Sequence, residues 1–327
     1  MCTLPSVAAT ALSGWTARAD ALSIQGLRFE PDTASVPLAS FVEFTERVAA
    51  MAGDELLGWT LGMHFDLSRL GLIHRVMRSA STLGGALRAL VEYFSLMQDE
   101  SEFACIEQAG NAVLSYRILD PDIWPRHQDA IFTLGIAAQL VRHAVGEMWD
   151  KAQLGLECPD DARATSLAPR CGIECVAGAD SNWLRFPAAW LALPLHGSLG
   201  CTSAHLRELN RQLVLKRRTT TIDARVRALV FQRLGDRHIC QDRIAAEIGL
   251  SDRTLRRHLA AAGTSFREIV DECRLRQAAH EFRVRGHRSI AQTALRLGYS
   301  EHSTFTRAFG RWSGMPPQHF IRIRSNA

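Results

Sequence analysis

One pattern occurs twice near the C-terminal end of this 327-residue chain, about fifty residues apart. The first copy runs Ile244-Ala245-Ala246-Glu247-Ile248-Gly249-Leu250-Ser251, then Arg253, Leu255, Arg257 and Leu259. The second runs Ala294-Leu295-Arg296-Leu297-Gly298-Tyr299-Ser300, then His302, Phe305, Arg307 and Phe309. Ile244, Ala245 and Ile248 share one helix face. Gly249 suits the left-handed end of that helix, and Ser251 suits the N-cap of the next. Leu255 and Leu259, four apart, point inward and leave Arg253, Arg256 and Arg257 outside. In the second copy Ile290, Ala291, Ala294 and Leu297 form the buried stripe, Gly298 the turn and Ser300 the cap. Phe305 and Phe309 are its packing pair, which leaves His302, Ser303, Thr306 and Arg307 outside. Each copy is a helix-turn-helix, the motif whose second helix enters a DNA major groove.

The segment between the copies constrains their spacing. Phe266 to Val284 contains no Pro or Gly, and Ile269, Val270, Cys273, Leu275, Ala278, Ala279 and Phe282 recur at helical spacing. A helix of that length spans roughly 28 Å, against roughly 34 Å for one turn of duplex. The charge is distributed to match. Residues 218–327 hold 20 Arg, no Lys and 10 acidic residues, a net of +10, while residues 1–217 hold 18 basic and 24 acidic residues, a net of −6. A basic half joined to an acidic half is the footprint of phosphate binding by one of them. Arg exceeds Lys throughout the chain, so the sign asymmetry carries this argument and the choice of Arg does not.

Residues 220–320 resemble the DNA-binding domain of the AraC/XylS family of bacterial transcription regulators. The resemblance rests on Ser251-Asp252-Arg253-Thr254-Leu255-Arg256-Arg257, Gly263-Thr264-Ser265-Phe266, Leu297-Gly298-Tyr299-Ser300 with Phe305-Thr306-Arg307-Ala308-Phe309, and Trp312-Ser313-Gly314-Met315-Pro316-Pro317. One departure is that Ile321 follows Phe320 where the family commonly has Arg, so no role is carried to Arg322. Residues 25–200 resemble the ligand domain that precedes it in one branch of the family, a domain labelled arabinose-binding. That match rests on Leu56–Ser68, Ser79–Tyr93, the strand pair ending at Leu119-Asp120-Pro121, and Asn182–Pro194. The label does not fix the ligand.

The expected fold is an α+β N-terminal sensor domain followed by an all-α domain with two tandem helix-turn-helix units joined by a long helix. Residues 1–200 form the first domain, 201–221 a helix and linker, and 222–327 the second; 327 residues suffice for two cores. Helices are expected at 38–50, 55–63, 68–78, 83–98, 127–149 and 203–216, with a short one between Pro187 and Pro194 and a polar junction at 216–221. Strands are expected at 102–107 and 112–119, a hairpin around Gly110-Asn111, and at 152–157, 173–176 and 183–186. No apolar run is long enough to span a membrane; Ile131 to Val141 ends at Arg142-His143. The start, Met1-Cys2-Thr3-Leu4-Pro5, has no basic n-region. Eight scattered Cys do not form a disulfide scaffold. A cytoplasmic protein with reduced thiols is expected from these features, and the resemblance implies a bacterial one.

Candidate DNA contacts are Ser251, Arg253, Arg256, Arg257, His302, Ser303, Thr306 and Arg307. Arg pairs bidentately with guanine or grips phosphate, and both readings stay open here. Arg307 is alternatively an internal partner of Glu301. His64, Arg75, Arg78 and Trp124 are candidates for a ligand pocket, which needs an apolar wall and a few polar anchors; as core or surface residues they need no ligand. Cys171 and Cys175 with Cys158 upstream lack the close pairs of a zinc site, so buried thiols are the default over metal or redox sensing. No cofactor is implied, and neither a phosphate-binding glycine loop, a Gly-x-Ser-x-Gly elbow nor a His-Glu-x-x-His is present. The implied function is a DNA-binding regulator, with activation the favoured sense, controlled by a small-molecule effector. Its partners are promoter DNA, RNA polymerase and a second copy of the chain. The dimer rests on the family and on the face of Leu206, Leu209 and Leu213. Two alternatives remain: a ligand-independent regulator whose N-terminal half only dimerises or meets polymerase, and an enzyme with a nucleophilic Cys fused to the DNA-binding half.

Overall fold

An alternating apolar pattern sets the sheet of the N-terminal half. In the computed structural model, which describes residues 6–22, 35–157, 167–179, 181–195, 203–235, 238–284 and 289–325, strands β3 (Ser101–Gln108) and β4 (Asn111–Ile118) form an antiparallel hairpin. Ala112, Leu114, Tyr116 and Ile118 point to the buried side of β4, as the two-residue repeat of a half-buried strand requires. The five-stranded sheet runs β3-β4-β7-β5-β6, with β5 at Gln153–Gly155, β6 at Glu174–Val176 and β7 at Asn182–Pro187. All its pairings are antiparallel except β5 with β6. A separate ribbon pairs β1 (Ser6–Ala8) with β2 (Ser35–Pro37). The hairpin turn is Ala109-Gly110, both with positive φ (49° and 78°), and Asn111 is already in the strand. The expected turn was one residue further on, where Gly and Asn are the usual formers.

Helix α1 (Ser13–Ala21) precedes β2. The helices α2 (Leu38–Ala52), α3 (Leu57–Met63), α5 (Leu83–Tyr93) and α6 (His127–Val145) lie close to their expected positions. The helix expected at 68–78 is divided at Gly71 into a 3-10 turn, Leu67–Leu70, and α4 (Leu72–Ser79). The one expected at 127–149 stops at Gly146 and continues as a 3-10 turn. Residues β1, β2 and α1 were not anticipated.

Helix α6 is the axis of this half, buried along most of its length. It crosses α3 with almost no side chain between them. A Cβ on Gly62 would stand 2.3 Å from the Phe132 carbonyl oxygen, and one on Gly58 2.3 Å from that of Gln128. The close crossing is fastened by polar side chains. Gly58 N–H donates to Gln128 Oε1 (2.8 Å), and Gln139 Nε2 donates to the carbonyls of Gly62 (2.9 Å) and Phe65 (3.2 Å). Where the sheet meets the start of α6, Arg126 forms a buried two-pronged ion pair with Glu157 (3.0 Å) and donates to the Ile118 carbonyl (2.9 Å).

The chain divides into compact units at residues 1–216 and 217–327. A helix, Ser203–Thr219, runs through that boundary, so the expected polar junction shortens to Thr220-Thr221. Its Leu209 and Leu213 are buried in the core of the first unit, and the face expected to dimerise is largely occupied. The second unit is all-helical over the described residues: Ile222–Gln232, Gln241–Ile248, Asp252–Ala261, Phe266–Val284, Ile290–Arg296, His302–Ser313 and Pro317–Ser325. The spacer helix has the expected bounds. Its start carries a reciprocal cap, with Ser265 N–H donating to Glu268 Oε2 (2.7 Å) and Glu268 N–H to Ser265 Oγ (3.3 Å).

Gly62→Ala should lower the urea midpoint of the unit that holds it, at a cost of roughly 1–3 kcal/mol, because a backbone oxygen must move. Gly310→Ala, whose methyl meets no atom within 4 Å, should raise stability of its own unit by roughly 0.5–1 kcal/mol. Circular dichroism of the full chain in urea reads both.

Candidate nucleic-acid interface and apolar cavity

The first repeat folds as its sequence requires. Ile244 and Ala245 are buried, Gly249 ends the helix in the left-handed region at φ 82°, and Ser251 Oγ accepts from Thr254 N–H at 3.2 Å. Leu255 and Leu259 are buried, while Arg253, Arg256 and Arg257 are exposed on the opposite side of the same helix. Arg256 meets Asp252 one turn earlier at 2.8 Å. That pair is exposed, and such pairs contribute roughly 0.2–1 kcal/mol, so a stronger acceptor displaces the carboxylate readily. Arg253 and Arg257 have no ion-pair partner among the described residues.

The second repeat differs from its expected form in two details. Thr293, not Ala291, is buried beside Ala294 and Leu297, and Ala291 is exposed. Ser300 does not cap the following helix; Glu301 occupies the N-cap and the helix begins at His302. Ser289 instead caps the preceding helix in a reciprocal pair with Gln292. Phe305 and Phe309 are fully buried, with ring centroids 6.4 and 5.6 Å from that of Phe282 on the spacer helix. His302, Ser303 and Arg307 are exposed; Thr306 is half-buried and donates back to the His302 carbonyl at 2.9 Å. Arg307 has no ion pair with Glu301, whose carboxylate accepts from Ser303 at 3.3 Å. Arg307 lines a polar groove of about 580 Å³ together with Arg267, Arg274, Arg311 and Asp271. Each recognition-type helix therefore offers hydrogen-bond donors and fixed positive charge on one face and is anchored by a pair of large apolar side chains on the other.

The N-terminal unit holds a partly open cavity of about 40 Å³. Its wall is mostly apolar, including the rings of Phe41, Phe65, Phe94, Phe103 and Phe132, and its polar groups are Gln98, Asp129 and Thr133. Asp129 and Thr133 sit four apart on α6, so they face the same way. Tyr116, on the buried face of β4, donates its hydroxyl to Asp129 Oδ2 and accepts from Gln98 Nε2. The other carboxylate oxygen, Oδ1, is buried and has no hydrogen-bond partner among the described residues.

The four ligand candidates do not line this cavity. His64 is exposed, with Nδ1 2.8 Å from the Thr60 carbonyl; Arg75 is exposed, 3.5 Å from His205. Trp124 is half-buried under the Arg126 guanidinium, 5.9 Å from its ring centre. Arg78 lines a separate surface pocket of about 410 Å³ with His74 and His143. Cys171 is buried and Cys175 half-buried, and Cys158 lies outside the described residues. A hydrogen bond between the two thiols, with burial, pushes that of Cys171 far up; the same bond draws that of Cys175 down against the opposing effect of burial. Among the described residues no group of three or more His, Cys, Asp or Glu is placed to hold a metal, and no helix is long and apolar enough to cross a membrane.

Residues 18–195 match the family described as the arabinose-binding N-terminal domain of AraC transcription regulator, and residues 244–323 match a helix-turn-helix domain family. The chain is 27% identical over 294 residues to an ornithine utilization regulator of Pseudomonas aeruginosa, a match covering 86% of this chain and 84% of the relative. It is 26% identical over 311 residues to the HTH-type transcriptional regulator VirS of Mycobacterium tuberculosis, covering 90% and 86%. The crystal structure of the transcriptional regulator CdpR from Pseudomonas aeruginosa superposes with a TM-score of 0.47 at 23% identity, over 96% of this chain and 98% of that one.

Burial holds the Asp129 carboxyl up at about 6, against the opposing hydrogen bonds of Tyr116 and Gln98; Glu46 adds to the rise and Arg126 opposes it. A carboxyl whose pKa is higher in the folded than in the unfolded state stabilises the fold below the unfolded value, and that stability is lost as pH rises through the folded one. From pH 5 to pH 8 the loss is roughly 1–1.5 kcal/mol. Asp129→Asn cannot ionise, so its stability relative to the parent should rise by that amount over the same interval. Urea unfolding at the two pH values measures it; an unchanged difference would mean that Asp129 does not titrate there.

Proposed function

The chain belongs to the AraC-type DNA-binding transcription regulators that carry an arabinose-binding-type N-terminal domain, and from that premise we propose that it is a promoter-binding activator controlled by a small metabolite. The observation that carries the reading is the pair of recognition-type helices. Each is anchored inward by two apolar side chains; Ser251 at the cap with Arg253, Arg256 and Arg257 are exposed on the first, and His302, Ser303 and Arg307 are exposed on the second, beside the half-buried Thr306. The net charge of +10 over residues 218–327 supports phosphate contacts alongside them. The mostly apolar cavity of the N-terminal unit, with its few polar groups, supports metabolite control. Similarity to an ornithine utilization regulator is in keeping with it. The effector acts by binding the active and inactive states with different affinity.

A homodimer and a contact with RNA polymerase complete the proposal. Leu206, Val214 and Leu215 remain exposed on the helix Ser203–Thr219, and a second copy would cover such apolar surface.

Selection from random duplexes by the full chain should yield a defined site. At that site Arg256→Ala should cost roughly 1–3 kcal/mol and relax preference at one position, measured by fluorescence anisotropy. Equal weakening on every sequence would make Arg256 a phosphate contact instead. A thermal-shift screen of the full chain against metabolites tests control by a ligand, since a molecule that binds only the folded state raises the melting temperature. Sedimentation at micromolar concentration should show a dimer; a monomer with and without the selected DNA would remove the homodimer from the proposal.

A further inference from the structure

The cavity beside Asp129 is selective in a way that its family description does not convey. Three of its fourteen lining residues are polar, Gln98, Asp129 and Thr133, the rest are apolar, and Gln98 and Asp129 meet through the Tyr116 hydroxyl. A pentose carries hydroxyls around its ring, and this wall would leave most of them without partners, at a cost of roughly 1–3 kcal/mol each. An anion would meet the Asp129 carboxylate, with Glu46 also close enough to act on it. A divalent cation needs several oxygen ligands, and one carboxylate in an apolar chamber does not supply them. A neutral alcohol would satisfy Oδ1 but leave the buried charge uncompensated. An ammonium group supplies both the missing donor and the missing charge.

We propose that this cavity is the effector site and that it takes a small primary amine with an apolar body, whose ammonium group binds the Asp129 carboxylate. The inference rests on the reading of the chain as a metabolite-controlled regulator. Thr133 and Gln98 flank the ammonium position, and the phenylalanine rings receive the hydrocarbon. The cavity as it stands has room for little more than one or two waters, so the wall must yield. Three of its fourteen lining residues are only half-buried, Phe94, Met97 and Ile136, and they mark the way in. Met97 is the natural gate, because an unbranched thioether re-packs easily. At neutral pH Asp129 is mostly ionised, being held at about 6, so the binding partner is in its charged form. The remaining charged neighbour, Arg126, is engaged by Glu157 and by two backbone carbonyls.

The test is thermal unfolding of the full chain at pH 7.5 with millimolar n-butylamine and benzylamine. The comparison probes are n-butanol, benzyl alcohol, phenylacetate and L-arabinose. The amines should raise the melting temperature and the comparison probes should not. Asp129→Asn should weaken amine binding at least tenfold in calorimetric titration. Met97→Trp, which fills the entrance and leaves the acid in place, should also abolish the response, and it decides the matter should the Asn variant fail to fold. An equal response to the alcohols, or a response to phenylacetate or arabinose alone, would overturn the amine assignment while leaving metabolite control intact. Amine binding that left affinity for the selected DNA unchanged would uphold the amine assignment and overturn the cavity's role as the effector site. No response to any probe would overturn the inference, and the wider metabolite screen would then decide the regulatory reading separately.

Discussion

The buried stripe of the helix Phe266–Val284 is the constraint on which the DNA-binding half depends. Ile269, Cys273 and Ala278 are fully buried along it, and Phe282 closes it against Phe305, Phe309 and Phe320. The helix Ile222–Gln232 packs against it as well, tied by Arg227 donating to Glu272 at 3.0 Å. Because an α-helix turns about 100° and rises about 1.5 Å per residue, a single inserted residue would turn one set of anchors away from its neighbours. The spacing of the two recognition faces is thus set by covalent geometry and apolar burial, before any charge is considered.

Charge acts on top of that frame. The exposed arginines of the recognition helices cost the fold little, since their side chains stay in water and the single local pair, Arg256 with Asp252, is weak. A scaffold stabilised by buried Leu and Phe tolerates a surface of net positive sign, and the repulsion it creates is relieved when phosphates arrive. Stability and the proposed DNA contacts lie on opposite faces of the same helices. Substitution of an outward arginine therefore tests binding without dismantling the fold.

The repeats were legible because each carries a local signature: apolar residues four apart, a glycine that leaves the helical region, a serine that caps. The errors were local too. Thr293 looks polar and Ala291 apolar, but the helix turns the threonine inward, and burial follows the face more than the residue type. Ser300 is a good cap by type, yet the chain stays extended through Glu301 before the helix begins. The cavity was far less legible. Gln98, Tyr116, Asp129 and Thr133 come from an irregular segment, a strand and a helix, and only tertiary packing brings them together. One signal was available: Asp129 and Thr133 stand four apart within a long helix rich in apolar residues, where a paired polar position asks for a partner. His64, Arg75, Arg78 and Trp124 carry polar or aromatic groups of the kind a pocket uses, but His64, Arg75 and Arg78 are exposed and Trp124 lies under Arg126.

Asp129 is an awkward residue for a protein core. An asparagine of the same shape would accept from Tyr116 without ionising, and the surrounding rings would pack as well. Burial raises the carboxyl to about 6, so near neutral pH the fold carries a charge whose desolvation is only partly offset by two hydrogen-bonding neighbours. Ion pairs elsewhere in this unit show what full compensation looks like: Glu157 receives three hydrogen bonds from Arg126 and its backbone is held by Asn182. Among the described residues Asp129 has no ion-pair partner, its second oxygen is buried without a hydrogen bond, and the residue lines a chamber rich in phenylalanines. An uncompensated buried charge is tolerable where a ligand supplies the counter-charge, because the deficit of the empty state then adds to the difference in binding between states. That difference is what an effector needs in order to shift an equilibrium.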